Sequence, residues 1–203
     1  MGIRGLKTED KGLTDKMSIS DYIFKILLVG EAPGSKTAFV KRYCFDVFKS
    51  HERLTIGVDF YSKTTLFKDE EIKLQIWDFG GELKLRLLLS NYCKSANGAF
   101  FIYDITAKES LDHLPEWTQI IRENAGDIPI MLIGSKLDLH KYRAISHSEG
   151  MLAAKEHNLA SFLEISSKTG ENVDKAFEIM IKTLIEGHNQ HTIENPNFLI
   201  ENR

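Results

Sequence analysis

A chain of 203 residues with 42% hydrophobic composition has enough apolar material for one well-filled domain and too little length for two ordinary ones. Its 26 basic residues stand against 29 acidic ones with no Lys/Arg run, which excludes the electrostatic footprint of a nucleic-acid binder. Cys44 and Cys93 are its only cysteines; this pattern excludes a disulfide scaffold and predicts reduced thiols in a cytoplasmic protein, and neither a secretory signal nor an apolar run of spanning length occurs.

Residues 1–20 mix Gly, Lys, Glu and Asp without a sustained apolar period, which predicts a flexible extension. The run Ile23 to Val29 has the length and composition of a buried strand and stops at Gly30. A Gly/Pro-rich turn leads into a helical pattern from Lys36 to Phe48. Gly57 to Phe67 and Ile72 to Trp77 read as strands on either side of the polar turn Lys68-Asp69-Glu70-Glu71, the signature of an antiparallel hairpin. Further strands at Gly98 to Tyr103, Ile128 to Ile133 and Phe162 to Ile165 alternate with helical patterns, the last from Asn172 to Gly187.

Such alternation implies crossover units and an α/β fold: a six-stranded, mostly parallel sheet with helices on both faces. Ligands of these sheets bind at the carboxyl ends of the strands. The pattern predicts one domain over residues 21–187, with a second flexible segment over residues 188–203. The terminal Pro196 to Arg203 carries no cysteine for a prenyl group, and Leu6 stands where a myristoylation signal wants Ser or Thr, so no lipid anchor is evident.

Gly30-Glu31-Ala32-Pro33-Gly34-Ser35-Lys36-Thr37 lies between the first strand and the first helix, the context that a phosphate-binding loop requires. Backbone N–H groups of Gly30, Ala32, Gly34, Ser35, Lys36, Thr37 and Ala38 can surround phosphate oxygens. Lys36 can neutralise the β- and γ-phosphates, and the Thr37 hydroxyl can ligate Mg²⁺. The pattern departs from G-x-x-x-x-G-K-[ST] in having Ser35 before the lysine and Gly34 one residue earlier.

Two further strings, Thr55-Ile56-Gly57-Val58-Asp59-Phe60 and Trp77-Asp78-Phe79-Gly80-Gly81-Glu82, make the chain resemble the Ras superfamily of small GTPases, a P-loop NTPase fold. The first string is specifically similar to the Rab branch. The likeness runs from about Phe24 to Gly187. The resemblance implies that Thr55 brings a hydroxyl to Mg²⁺ and its backbone to the γ-phosphate in a first switch, that Asp78 holds the metal through a water, and that the Gly81 amide senses the γ-phosphate in a second switch. GTP orders both loops and GDP releases them.

Ser135-Lys136-Leu137-Asp138 stands where the family has Asn-Lys-x-Asp, and the resemblance assigns Asp138 to guanine. A carboxylate has only acceptors, and guanine offers two adjacent N–H donors, a pairing that adenine cannot match. Lys136 lays its aliphatic stem along the base. Ser135 departs from the Asn that ties this loop to the phosphate loop in the family, which predicts weakened nucleotide affinity. Ser166-Ser167-Lys168 resembles the family's Ser-Ala-Lys, whose backbone amide reads the guanine oxygen, and Phe48 stands where the family places an aromatic edge against the base.

The predicted hydrolytic groups are Lys36, Thr55, Gly81 and Glu82. Most relatives have Gln at the position of Glu82, which orients water and donates N–H; an ionised Glu only accepts. Pro33 lacks the N–H that this loop position gives to the oxygen bridging the β- and γ-phosphates. Phe79-Gly80-Gly81 is more like the Gly-Gly second switch of Arf-type relatives than the Thr-Ala-Gly of Rab proteins. The resemblance therefore implies a Rab-like GTP/GDP-Mg²⁺ switch with slow hydrolysis, of the membrane-trafficking or signalling type. Its implied partners are effectors, an exchange factor and an activating protein at the switch loops. It implies a monomer in the cytoplasm that reaches membranes through its partners. The alternative is an adaptor that holds nucleotide without turnover.

Overall fold

A computed structural model describes residues 20–50, 55–80 and 91–194. Its strands are β1 (Tyr22–Val29), β2 (Val58–Phe67), β3 (Glu70–Phe79), β4 (Gly98–Asp104), β5 (Ile130–Ser135) and β6 (Ser161–Glu164). Among the described residues the principal helices are α1 (Ser35–Phe45), α2 (Leu114–Ala125), α3 (His147–Glu156) and α4 (Val173–Glu194). The sheet runs β2-β3-β1-β4-β5-β6. Only β2 is antiparallel to its neighbour; every other pair is parallel.

Several ends differ from the sequence pattern for local reasons. Helix α1 stops at Phe45, three residues before Phe48, because Asp46 turns left-handed at φ 53° and its N–H bonds back to Arg42. The hairpin turn is Lys68-Asp69 alone, with both φ values positive at 48° and 70°; this two-residue geometry matches the twist of paired strands and lets β3 begin at Glu70. Strand β5 starts after Pro129, which has no N–H for a ladder. Helix α4 runs through Gly187 to Glu194; Gly187 faces open space and does not interrupt it.

The period of two in β1 divides the core between the two faces of the sheet. Phe24, Ile26 and Leu28 point to the side covered by α1 and α4, and Leu27 and Val29 to the side covered by α2 and α3. On the first side Tyr43 stacks on Phe177 at 3.6 Å between ring centroids, and Phe39 meets both Phe100 and Phe177. On the second, Trp117 and Ile121 of α2 are fully buried against Phe101 and Tyr103. Each such side chain contributes about 1.5–3 kcal/mol. The chain turns from one half of the sheet to the other beside β1, so the carboxyl end of β1 opens into the crevice where doubly wound sheets bind ligands.

Candidate functional site

The loop after β1 is fixed by two glycines. Gly30 adopts φ 115°, and a Cβ there would lie 2.3 Å from the Ile102 carbonyl oxygen, so no other residue fits. Gly34 adopts φ 73° as the N-cap of α1 and supplies no side-chain cap; the Ser35 N–H bonds back to the Ala32 carbonyl at 3.1 Å, which leaves the Lys36 and Thr37 amides of the first turn uncapped by a side chain. Lys36 is 5% exposed. Its ammonium curls over the loop and donates to the Gly30 carbonyl at 2.7 Å. Burial holds this ammonium below the usual lysine range, against the opposing pull of Asp78 and Glu31.

Beside the lysine, three oxygens from three elements meet. Thr37 Oγ1 donates to Asp78 Oδ2 at 2.6 Å, Thr55 Oγ1 approaches the same oxygen at 3.3 Å, and the two hydroxyls are 2.9 Å apart. Asp78 is fully buried, and its Oδ1 has no hydrogen-bond partner. Burial pushes its carboxyl up to about 6, with the Thr37 hydroxyl and Lys36 opposing. A dry carboxylate with one unsatisfied oxygen and two adjacent hydroxyls is a fit for a hard divalent cation. No group of three His, Cys, Asp or Glu side chains among the described residues offers an alternative metal site.

A cleft of about 290 Å³ opens alongside, floored by Gly34, Ser35 and Ala38 of the phosphate loop and walled by Phe48, Lys136, Asp138 and Ser167. Asp138 is held from behind: Ser166 Oγ donates to its Oδ1 at 2.7 Å, and Lys168 Nζ lies 3.7 Å from its Oδ2. Lys136 is turned left-handed at φ 66°, and its ammonium pairs with Asp104 Oδ2 at 2.5 Å. Ser135 Oγ lies 2.6 Å from the Tyr103 carbonyl and 3.0 Å from Ser35 Oγ. One end of the site thus presents a lysine, amides and a cation position, and the other a flat cleft ending in a carboxylate.

The sequence that builds this site has counterparts among known proteins. The Ras family model matches residues 25–186. The chain belongs to the Ras family. Among its relatives, Ras-related protein Rab-19 of Xenopus laevis is 36% identical over 172 residues, covering 84% of this chain and 81% of that protein. Ras-related protein Rab-1 of Theileria parva is 36% identical over 178 residues, covering 87% of this chain and 80% of that one. GTP-binding protein ypt3 of Schizosaccharomyces pombe is 35% identical over 175 residues, covering 86% and 81%. The protein is a Rab-like small GTPase.

Most of the described residues expected to contact nucleotide lie on the rim of this site, but Ser166 does not. Ser166 is completely buried and supports Asp138 without lining the cleft, leaving Ser167 and Lys168 at the wall. Gly81 and Glu82 lie outside the described residues, next to Gly80, whose N–H donates to the Gly57 carbonyl at 2.9 Å.

Two positions of this Rab-like GTPase escape a reading of its sequence. Asp104 ends β4 and holds Lys136; its other oxygen accepts from the Thr106 N–H and hydroxyl. Arg42 sits on the last turn of α1 and donates from Nε to the Ser167 carbonyl at 2.7 Å and from Nη2 to the Lys168 carbonyl at 2.6 Å, while Nη1 reaches Asp46 Oδ1 at 2.7 Å. No sequence signal pairs positions 125 residues apart; the fork acts only once α1 and the base loop are folded together. Arg42→Ala is expected to speed release of a fluorescent guanine nucleotide by roughly tenfold, the scale of two lost charge-assisted bonds partly replaced by water. Arg42→Lys restores little of it because an ammonium cannot bridge both carbonyls.

Proposed function

We propose that this Rab-like GTPase binds GTP and GDP with Mg²⁺, hydrolyses GTP slowly, and signals its nucleotide state through its two switch segments to protein effectors and regulators. The observation that carries the proposal is the meeting of Thr37, Thr55 and Asp78 beside Lys36: a threonine from the first switch region touches the phosphate-loop threonine and the strand-end carboxylate. A bound Mg²⁺ would supply charge neutralisation at the β- and γ-phosphate oxygens, with the Thr37 and Thr55 hydroxyls and the Asp78 carboxylate holding it.

Within the chain's own chemistry, water attacks the γ-phosphorus in line while Lys36 and the first-turn amides of α1 hold the equatorial and bridging oxygens. Pro33 gives no N–H to the bridging oxygen, so charge on the leaving group is less well stabilised. Glu82 offers only acceptors to the attacking water. Slow turnover follows, and an activating protein supplying an arginine would add roughly 10³ to 10⁵ in rate, as for GTPases of this class. Glu82→Gln is expected to raise the single-turnover rate about tenfold, equivalent to about 1.4 kcal/mol of transition-state stabilisation. A lower rate would make Glu82 the base.

Partner recognition is supported by the surface next to Thr55. Ile56 is 87% and Phe60 52% exposed, and Phe60, Trp77 and Tyr92 form a continuous aromatic row with centroid spacings of 5.3 and 5.6 Å. An apolar strip joined to a nucleotide-sensing threonine suits partners that discriminate GTP from GDP. No helix among the described residues is long and apolar enough to cross a membrane. The proposed setting is the cytoplasm, with membranes reached through partners in trafficking, and one GTPase domain over residues 21–187. The direct test is to identify the nucleotide released on denaturing the purified protein and to follow GTP turnover over hours. Retained GTP without turnover would reduce the protein to a nucleotide-holding adaptor.

A further inference from the structure

The two departures at Ser35 and Ser135 are 100 positions apart in sequence, yet their hydroxyl oxygens are 3.0 Å apart, at 5% and 2% exposure. A hydroxyl has one hydrogen. Ser135 is placed to donate to both the Tyr103 carbonyl at 2.6 Å and the Ser35 oxygen at 3.0 Å, so its one hydrogen is shared between the two and Ser35 accepts. The last residue of β5 therefore bridges β4 and the first residue of α1. It joins the loop that cradles phosphate to the loop that carries Lys136 and Asp138.

We propose that Ser35 and Ser135 are a matched pair of positioning residues that set the distance between the phosphate end and the base end of the nucleotide cleft. The Ser35 oxygen accepts from Ser135 of β5, so its side chain belongs to the clamp between the two loops. The pair governs nucleotide residence time: while it holds, neither end of the cleft can drift from a ligand spanning both. The proposal rests on the guanine-nucleotide function argued above.

It carries a counterintuitive consequence. Ser35→Gly, which restores the common phosphate-loop sequence, removes the acceptor and loosens the clamp. Ser135→Asn places a larger amide against the Ser35 side chain. Each single substitution therefore raises the dissociation rate of a fluorescent GDP analogue by about tenfold, the scale of one buried hydrogen bond, and Ser35→Ala does the same. In Ser35→Gly/Ser135→Asn the space vacated by the serine accommodates the amide, and the rate returns to within about threefold of the parent.

Binding stoichiometry and association rate are measured in parallel. A variant that has merely misfolded lowers the stoichiometry and is not rescued by the second substitution. Faster release in all three single variants at unchanged stoichiometry, with rescue in the double variant, supports the pair. Unchanged release in both Ser35→Ala and Ser35→Gly overturns the pair while leaving guanine-nucleotide binding in place. Additive loss in the double variant also overturns it. A parent protein that binds no guanine nucleotide overturns both proposals together.

Discussion

Asp138→Asn is expected to weaken GDP binding by roughly 10² to 10³-fold, the effect of losing two hydrogen bonds to a charged acceptor at about 1.5–3 kcal/mol each, less what the amide retains. The same substitution should confer binding of the xanthine nucleotide. The Asp138 carboxylate is held by the Ser166 hydroxyl and approached by Lys168, so its direction is set before any ligand arrives. A bound guanine would set its two N–H donors against the two acceptor oxygens. An asparagine offers one acceptor and one NH₂ group, which clashes with guanine's exocyclic amine but suits the carbonyl that xanthine carries there. Displacement of fluorescent GDP by unlabelled GDP and XDP decides the matter. Retention of GDP affinity within about threefold, with no response to XDP, would remove Asp138 from base recognition.

Lys36→Met is expected to move nucleotide affinity and the stability of the ligand-free protein in opposite directions. The substitution keeps the aliphatic stem and deletes the charge. Lys36 is 5% exposed, and burial holds its ammonium below the usual lysine range, so the nucleotide-free fold carries a charge whose desolvation outweighs the pull of Asp78 and Glu31. Its thermal midpoint should stay level or rise. GTP affinity should fall by roughly 10² to 10³-fold, with a smaller loss for GDP, which lacks the γ-phosphate charge. Measuring GTP and GDP affinities beside a thermal melt of the nucleotide-free protein tests both halves. An equal, small loss for both nucleotides would show that the lysine's role is to pack the loop through its bond to the Gly30 carbonyl.

Fold and chemistry were legible to different depths. The parallel sheet was readable because strands buried on both faces leave long apolar runs, as in Ile23 to Val29 and Gly98 to Tyr103, and because the intervening segments carry a helical period. Element ends were less readable. The end of α1 depends on the left-handed backbone at Asp46, and the length of β3 on the tight Lys68-Asp69 turn. Neither depends on hydrophobic pattern. The phosphate and base motifs are contiguous strings and could be located by eye. Arg42 and Asp104 could not, because what they do depends on carbonyl and ammonium groups brought to them by other elements.

By itself the sequence determined the family, the order of the elements and the position of Lys36, Thr37, Thr55, Asp78 and Asp138 on one edge of the sheet. All of these are local: a run of residues either has the composition of a buried strand, or the spacing of a phosphate loop, or it does not. The sequence also presented Ser35 and Ser135 as two separate departures, each weakening the site. Only the tertiary structure decided that they face one another at 3.0 Å, and that Arg42 ties the exit of α1 to the base loop. Whether two side chains a hundred positions apart share a hydrogen bond is fixed by how β4, β5 and α1 stack around β1, and the pattern of neither segment contains that information.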